Sequence, residues 1–344
     1  MALPEDIVIG EHRIKAGQSA KVMLPVAKLY TDAEVSLPVF ISRSKKAGPT
    51  VLICAAVHGD ELNGIEIIHR LIRDKKLKPS CGTVIAVPMV NVYGVINQSR
   101  YLPDRRDLNR SFPGSAKGSL ASRLANIFLN QCVLHCDYGI DLHTGAIHRS
   151  NLPQIRANLD EADLSGLANA FGAPVVINTA NPKGSLREAA AKSGTKIMVY
   201  EAGEALRTDE FSVHIGYRGV LNVLRALNML PKSRKKKSST LPFIAHSSDW
   251  IRATASGFVS HKLELGEQVE KGTVLADVVD PFGEVLAQVK APRKGIIIGK
   301  QNIPLVQEGE AMYHIGYFSA DEAEISQHID NEENAIVDGE SEAR

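Results

Sequence analysis

The stretch Thr50 to Arg73, TVLICAAVHGDELNGIEIIHRLIR, carries an apolar run into a histidine and, three residues on, a glutamate. Val51 to Val57 has the length and polar bounds of a strand buried on both faces. After His58-Gly59-Asp60-Glu61 the pattern changes, and Ile65, Ile68, Leu71 and Ile72 recur at helical spacing. The spacing therefore predicts His58 at the carboxyl end of a buried strand and Glu61 near the start of a helix. In open α/β sheets that edge is where ligands bind. Neutral imidazole and carboxylate together suit Zn²⁺, and a catalytic zinc site needs a third ligand plus an open position. The third candidate, His143, closes a second short strand, Tyr138-Gly139-Ile140-Asp141-Leu142-His143-Thr144-Gly145. A His-x-x-Glu pair alone is a weak signal. Two strand ends carrying histidine, with one glutamate, are either three unrelated polar residues or a cage of His58, Glu61 and His143 for one Zn²⁺ per chain.

A third strand end carries Glu201. Lys196 to Tyr200, KIMVY, reads as a strand running into Glu201-Ala202-Gly203-Glu204. Between the first two lies a segment dense in Arg and Asn, Asn91 to Gly114, too punctuated for a helix. A long segment of that kind inside a compact domain is usually functional or disordered. Tyr93, Val95, Ile96, Tyr101, Leu102, Leu108 and Phe112 offer it apolar anchors, which argues for the former.

Four separated segments, in order, resemble the succinylglutamate desuccinylase/aspartoacylase family of zinc hydrolases, related in fold to the zinc carboxypeptidases. They are HGDELNG at 58–64, DLNRSFPG at 107–114, DLHTG at 141–145 and the glutamate of VYEAGE at 199–204. The resemblance spans roughly residues 20–230, and more loosely 245–318. It implies an α/β fold with a mixed sheet flanked by helices. It implies zinc held by His58, Glu61 and His143, Glu201 as general base, and Asn109 and Arg110 as the grip on a substrate carboxylate. Arg100 matches the arginine that polarises the scissile carbonyl. The interval from Arg100 to Asn109 is longer than in aspartoacylase, so Arg105 is a rival for that role. The implied activity is hydrolysis of the amide of a small N-acyl amino acid. A carboxypeptidase acting on short peptides, or a non-catalytic binding protein that keeps the fold, are the alternatives.

The remaining chain sets the frame. At 344 residues with 44% hydrophobic content it can build two cores. A net charge of +1 points to neither nucleic acid nor membrane as partner, and no apolar run reaches the roughly 18 residues of a membrane span. The N-terminus lacks the basic-then-apolar order of a signal peptide. Cys54, Cys81, Cys132 and Cys136 fall at no metal spacing, which suits a reducing, cytoplasmic setting. A homo-oligomer is a general expectation for soluble enzymes and nothing more.

Alternating apolar positions in Ala20–Leu29 and Ala33–Ser42 predict a hairpin at the sheet margin. Helices are expected over Ala116–Gln131, Leu159–Phe171, Ser185–Gly194 and Asp209–Leu230. Ser185 and Glu188 form a capping-box pair, and residues 146–156 read as a polar-rimmed loop. The first domain is placed at 1–230 and a basic linker at 231–243. Short strands and Gly turns then predict an all-β accessory domain at 244–320, similar to biotinyl/lipoyl barrel-sandwich domains, before an acidic tail at 321–344. Those domains present a modified lysine on a central hairpin. The corresponding Asp280-Pro281-Phe282-Gly283-Glu284 has none, so no attachment is expected.

Overall fold

The computed structural model describes residues 4–232 and 242–318. The basic centre of the expected linker and the whole acidic tail lie outside the described residues. The strand Thr50–Ala55 lies between Thr83–Val87 and Tyr138–Gly145, parallel to both, and Lys196–Glu204 continues the parallel run. Its alternation explains why it reads as continuously apolar. Val51, Ile53 and Ala55 enter one core with Ile65, Ile68 and Leu71 of the helix Asn63–Arg73, Leu164 of Ala162–Phe171 and Leu224 of Glu210–Ala226. Leu52 and Cys54 enter the other, with Leu124 and Phe128 of Leu120–Gln131 and Ala190 of Leu186–Lys192. Helices thus cover both faces of the sheet, as a mainly parallel sheet requires. The hairpin Ser19–Lys28 with Glu34–Arg43 adds the antiparallel margin.

Residues expected as a polar loop after His143 instead form the strand Arg149–Ala157, antiparallel to Lys196–Glu204. Asn151 and Gln154 hide it in the sequence, yet both are buried, Gln154 completely. The reason is its position. Its last residues pair with Val175–Asn178, and its first three pair with Gly295–Gln301 from near the far end of the chain.

Hydrogen bonding therefore crosses the expected domain boundary. Phe243–Ala245 re-enters the sheet beside Val175–Asn178. Gly295–Gln301, Ala311–Tyr317 and Ser247–Arg252 extend it antiparallel to its other margin. A separate four-stranded sheet, Val285–Lys290, Val274–Val279, Gly257–His261 and Leu305–Val306, covers this extension. Leu275 and Val278 meet Ile297, Met312 and Ile315 in a core of their own. Among the described residues no helix is long and apolar enough to cross a membrane.

Candidate active site

The expected ligands converge at the carboxyl ends of two neighbouring parallel strands. The chain leaves Thr50–Ala55 through a turn that carries His58 and Glu61. Gly59 is required there, because a Cβ would collide with the backbone of Gly94. Ala56, fully buried at the strand exit, takes a left-handed φ of 52°. His143 lies near the end of Tyr138–Gly145, and Glu201 sits directly beside it in the register of the next strand.

Glu61 lies between the two imidazoles. Its Oε1 is 2.7 Å from His58 Nδ1 and its Oε2 is 2.7 Å from His143 Nδ1. The Thr144 backbone N–H donates to the same Oε2 at 3.1 Å. The outer ring nitrogens face carboxylates: His143 Nε2 is 2.8 Å from Asp141 Oδ2 and His58 Nε2 is 3.2 Å from Asp107 Oδ1. Burial pushes the Glu61 carboxyl up, but the two histidines outweigh it and hold it well below the usual range. Burial opposes protonation of His143, yet Asp141 and Glu61 prevail and raise it well above an ordinary histidine. His58 is raised in the same way, with Glu61 and Asp107 overcoming burial.

This donor set fits a divalent cation. One ligand atom from each of His58, Glu61 and His143 lies within 4.8 Å of the others, all three residues are buried, and both Nδ1 atoms turn toward Glu61. Carboxylates behind ligand imidazoles fix the ring orientation and raise basicity. Asp107 and Asp141 take that place here, while neighbouring Asp60 has its Oδ1 buried without a hydrogen-bond partner. His148 is not part of the triplet; its Nδ1 lies 4.0 Å from Glu204.

A cavity of about 290 Å³ opens onto the triplet, and Glu201, Arg100, Asn109 and Arg110 all line it. Glu201 is flanked by Asn151 Nδ2 and by Arg156 Nε, each at 3.0 Å. Arg100 donates to Asp107 Oδ2 at 3.0 Å and approaches Glu61 at 3.5 Å. Arg105 is exposed and is absent from the cavity wall. Asn109 Oδ1 accepts from the Leu186 backbone N–H at 2.9 Å, which leaves its Nδ2 donors for a ligand. Ser185 caps the helix as expected, accepting from Glu188 N at 3.2 Å. The Glu188 carboxylate reaches Gly184 N at 2.7 Å, one residue upstream of the capping-box partner.

Several cavity residues had no signal in the sequence. Arg187, on that short helix, is buried and spends its donors on Arg156 O, Thr179 Oγ1 and Ala180 O. Trp250 reaches the cavity from beyond the expected linker. Asp107 and Asp141 stood inside recognised motifs, but only the fold reveals which nitrogens they face.

Fold and cavity together define an α/β enzyme with a buried, metal-capable centre. The chain belongs to the succinylglutamate desuccinylase/aspartoacylase family, a family of amide-cleaving deacylases, whose catalytic domain matches residues 47–227. It is 28% identical over 291 residues to an N-alpha-acetyl-L-2,4-diaminobutyric acid deacetylase of Halomonas elongata, covering 81% of this chain and 84% of that one. Among solved structures it shares the fold of the product-bound ectoine utilization protein EutE (DoeB) of Ruegeria pomeroyi. That likeness has a TM-score of 0.77 at 24% identity and covers 87% of this chain and 95% of the other. It is also similar to a succinylglutamate desuccinylase/aspartoacylase of Rhodobacter sphaeroides, with a TM-score of 0.74, 25% identity and coverage of 88% and 96%.

Proposed function

We propose that the protein is a zinc-dependent deacylase that hydrolyses the amide of an N-acyl amino acid or a similar small amide. The observation that supports this most directly is the shared cavity. The His58–Glu61–His143 triplet, the Glu201 carboxylate and an Asn–Arg pair line one space of about 290 Å³, a size for a small molecule.

Zn²⁺ held by His58, Glu61 and His143 would supply Lewis acidity toward a carbonyl and toward water. The chain's own groups do the rest. Glu201 takes the proton of the attacking water and hands it to the leaving nitrogen. Asn151 and Arg156 aim its carboxylate. Arg100, braced by Asp107, stabilises the negative charge that develops on the carbonyl oxygen. Its place in the cavity wall favours it over Arg105 for this task. Asn109 donates through Nδ2, and the Arg110 guanidinium takes a substrate carboxylate bidentately.

Residues 1–230 form the catalytic α/β unit in this reading. The C-terminal layers, 244–320, form a barrel-sandwich of the biotinyl/lipoyl kind without an attachment lysine, used as a wall of the active site. The four cysteines are free thiols, which suits a cytoplasmic enzyme.

The test is primary-amine release from a panel of N-acetyl and N-succinyl amino acids beside dipeptides, with and without a zinc chelator. Chelator-sensitive release from an N-acyl compound is the expected result. Release from dipeptides alone would replace the deacylase reading with a peptidase.

A further inference from the structure

The two carboxylates behind the ligand imidazoles are held unequally. Asp107 has a strong donor on each oxygen besides His58. The Asn109 backbone N–H reaches its Oδ1 at 2.8 Å, and the Arg100 guanidinium reaches its Oδ2 at 3.0 Å. Asp141 is buried. Its Oδ2 faces His143 Nε2 at 2.8 Å, and its Oδ1 accepts from the Cys54 thiol, with Sγ at 3.4 Å. Among the described residues that thiol is the one hydrogen-bond donor Oδ1 has. Arg187 lies near enough to feel the Asp141 charge, but it gives its hydrogen bonds to Arg156 O, Thr179 Oγ1 and Ala180 O.

We propose that Cys54 is a positioning residue of the metal centre. Its S–H fixes the rotation of the Asp141 carboxylate and, through it, the His143 imidazole whose Nδ1 is offered to the cation. This rests on the metal-dependent deacylase reading of the same site.

The strand register sets this contact up. Cys54 on Thr50–Ala55 stands directly beside Asp141 on Tyr138–Gly145 in the parallel ladder. Residues two apart on a strand share a face, so Asp141 and His143 leave the sheet on the same side. Cys54 joins the core on that side, with Leu124, Phe128 and Ala190. Both partners are closed off from solvent, Cys54 at 0% exposure and Asp141 at 1%. A buried acceptor left without a donor costs its full desolvation penalty, so the oxygen that His143 does not use needs a partner from the protein.

A thiol suits the place. It packs in a closed core as a small hydrophobe, yet it carries a weak donor. Burial, with Asp141 beside it, pushes the Cys54 thiol well above an ordinary cysteine, so it stays an S–H donor at neutral pH. A weak donor holds one carboxylate oxygen while leaving most of the negative charge to His143. Outer partners of ligand histidines set ring orientation and metal affinity, and Cys54 extends that chain by one residue. Cys81 and Cys136 donate instead to backbone carbonyls, of Asn228 and Cys132, at 3.4 and 3.3 Å.

The experiment uses the full-length wild type, Cys54→Ala, Cys54→Val and Cys54→Ser, each also combined with Asp141→Asn. Zinc affinity is read by competition with a chromophoric chelator, and folding by the Tm of the metal-free proteins. Alanine leaves space and valine fills it, so a loss common to both follows the donor rather than the volume. Both should bind zinc about 3- to 10-fold more weakly than the wild type, the worth of one ordinary hydrogen bond. Serine, a stronger donor on a shorter arm, should recover part of that loss. With Asp141→Asn in place the Cys54 substitutions should change affinity by less than about twofold, because the two residues act as a unit. A second readout needs no metal. The infrared S–H stretch of Cys54, isolated as the wild-type minus Cys54→Ala difference, should lie at the lowered frequency of a hydrogen-bonded thiol and rise in Asp141→Asn, where the acceptor is neutral. Wild-type zinc affinity in both Cys54→Ala and Cys54→Val would overturn the positioning role while leaving the deacylase standing. So would an equal loss with and without Asp141, or an S–H band at the free-thiol frequency. A wild type that takes up no zinc would overturn the metal reading and this role with it.

Discussion

Replacing Glu201 with Gln isolates proton transfer from every other duty of the site. Glu201 is not among the three ligand residues, so the metal should stay. The amide oxygen of Gln can still accept from Asn151 Nδ2, now 3.0 Å from the carboxylate, so the side chain keeps one of its two fixing contacts. The lost contact is the ion pair with Arg156, and both partners are partly solvated, so its loss costs at most about 1 kcal/mol of stability. A general base contributes about 10²–10⁴ in rate, equivalent to roughly 2.7–5.4 kcal/mol of barrier. Turnover of the best N-acyl substrate should fall by that factor with zinc content and KM nearly unchanged. The assay pairs amine release with metal analysis of the same preparation. Turnover within about threefold of wild type in a zinc-replete mutant would remove Glu201 from the role. A drop accompanied by loss of zinc would make Glu201 a metal ligand rather than the general base.

Other outcomes follow from the same geometry. Asp141→Asn and Asp107→Asn should each lower metal affinity or activity about 10- to 100-fold, measured by competition with a chromophoric chelator; unchanged affinity in both would refute the bracing role. Gly59→Ala should impair metal binding by displacing the turn from Gly94, and an alanine variant that binds metal normally would show that the turn has slack. The Glu210 carboxylate is bound bidentately by Arg70 at 2.6 and 2.8 Å, which holds it below the usual carboxylate range. Its contribution, about 0.5–1 kcal/mol for so exposed a pair, is present above the unfolded value near 4.3 and fades as pH falls through the lowered folded value. Glu210→Gln should thus reduce Tm at neutral pH and flatten the stability profile below about pH 5; an equal loss at acid pH would refute the linkage.

What could be read in the sequence was whatever rested on short-range pattern. The apolar run into His58 and the Ile65–Ile68–Leu71 stripe state their own structure, because alternation and helical spacing are local properties. Glu201 was visible for the same reason, as a charge ending an apolar strand. Arg149–Ala157 was not, since Asn151 and Gln154 become strand residues only when partners from remote parts of the chain flank them. Arg187 looks like ordinary helix-surface charge until Thr179 and Ala180 close over it. Trp250 comes far along the chain from the triplet, beyond the expected linker, so no spacing rule could bring it there.

The strand Arg149–Ala157 has a consequence for the order in which the molecule is made. During synthesis its last residues can pair early with Val175–Asn178, but its first three must wait for Gly295–Gln301. Until those residues have been made, the nascent catalytic half carries unmet backbone groups beside Arg149, and exposed strand edges invite pairing with other chains. Gly295–Gln301 is then a seal, and a chain terminated before it would be left as an adhesive fragment.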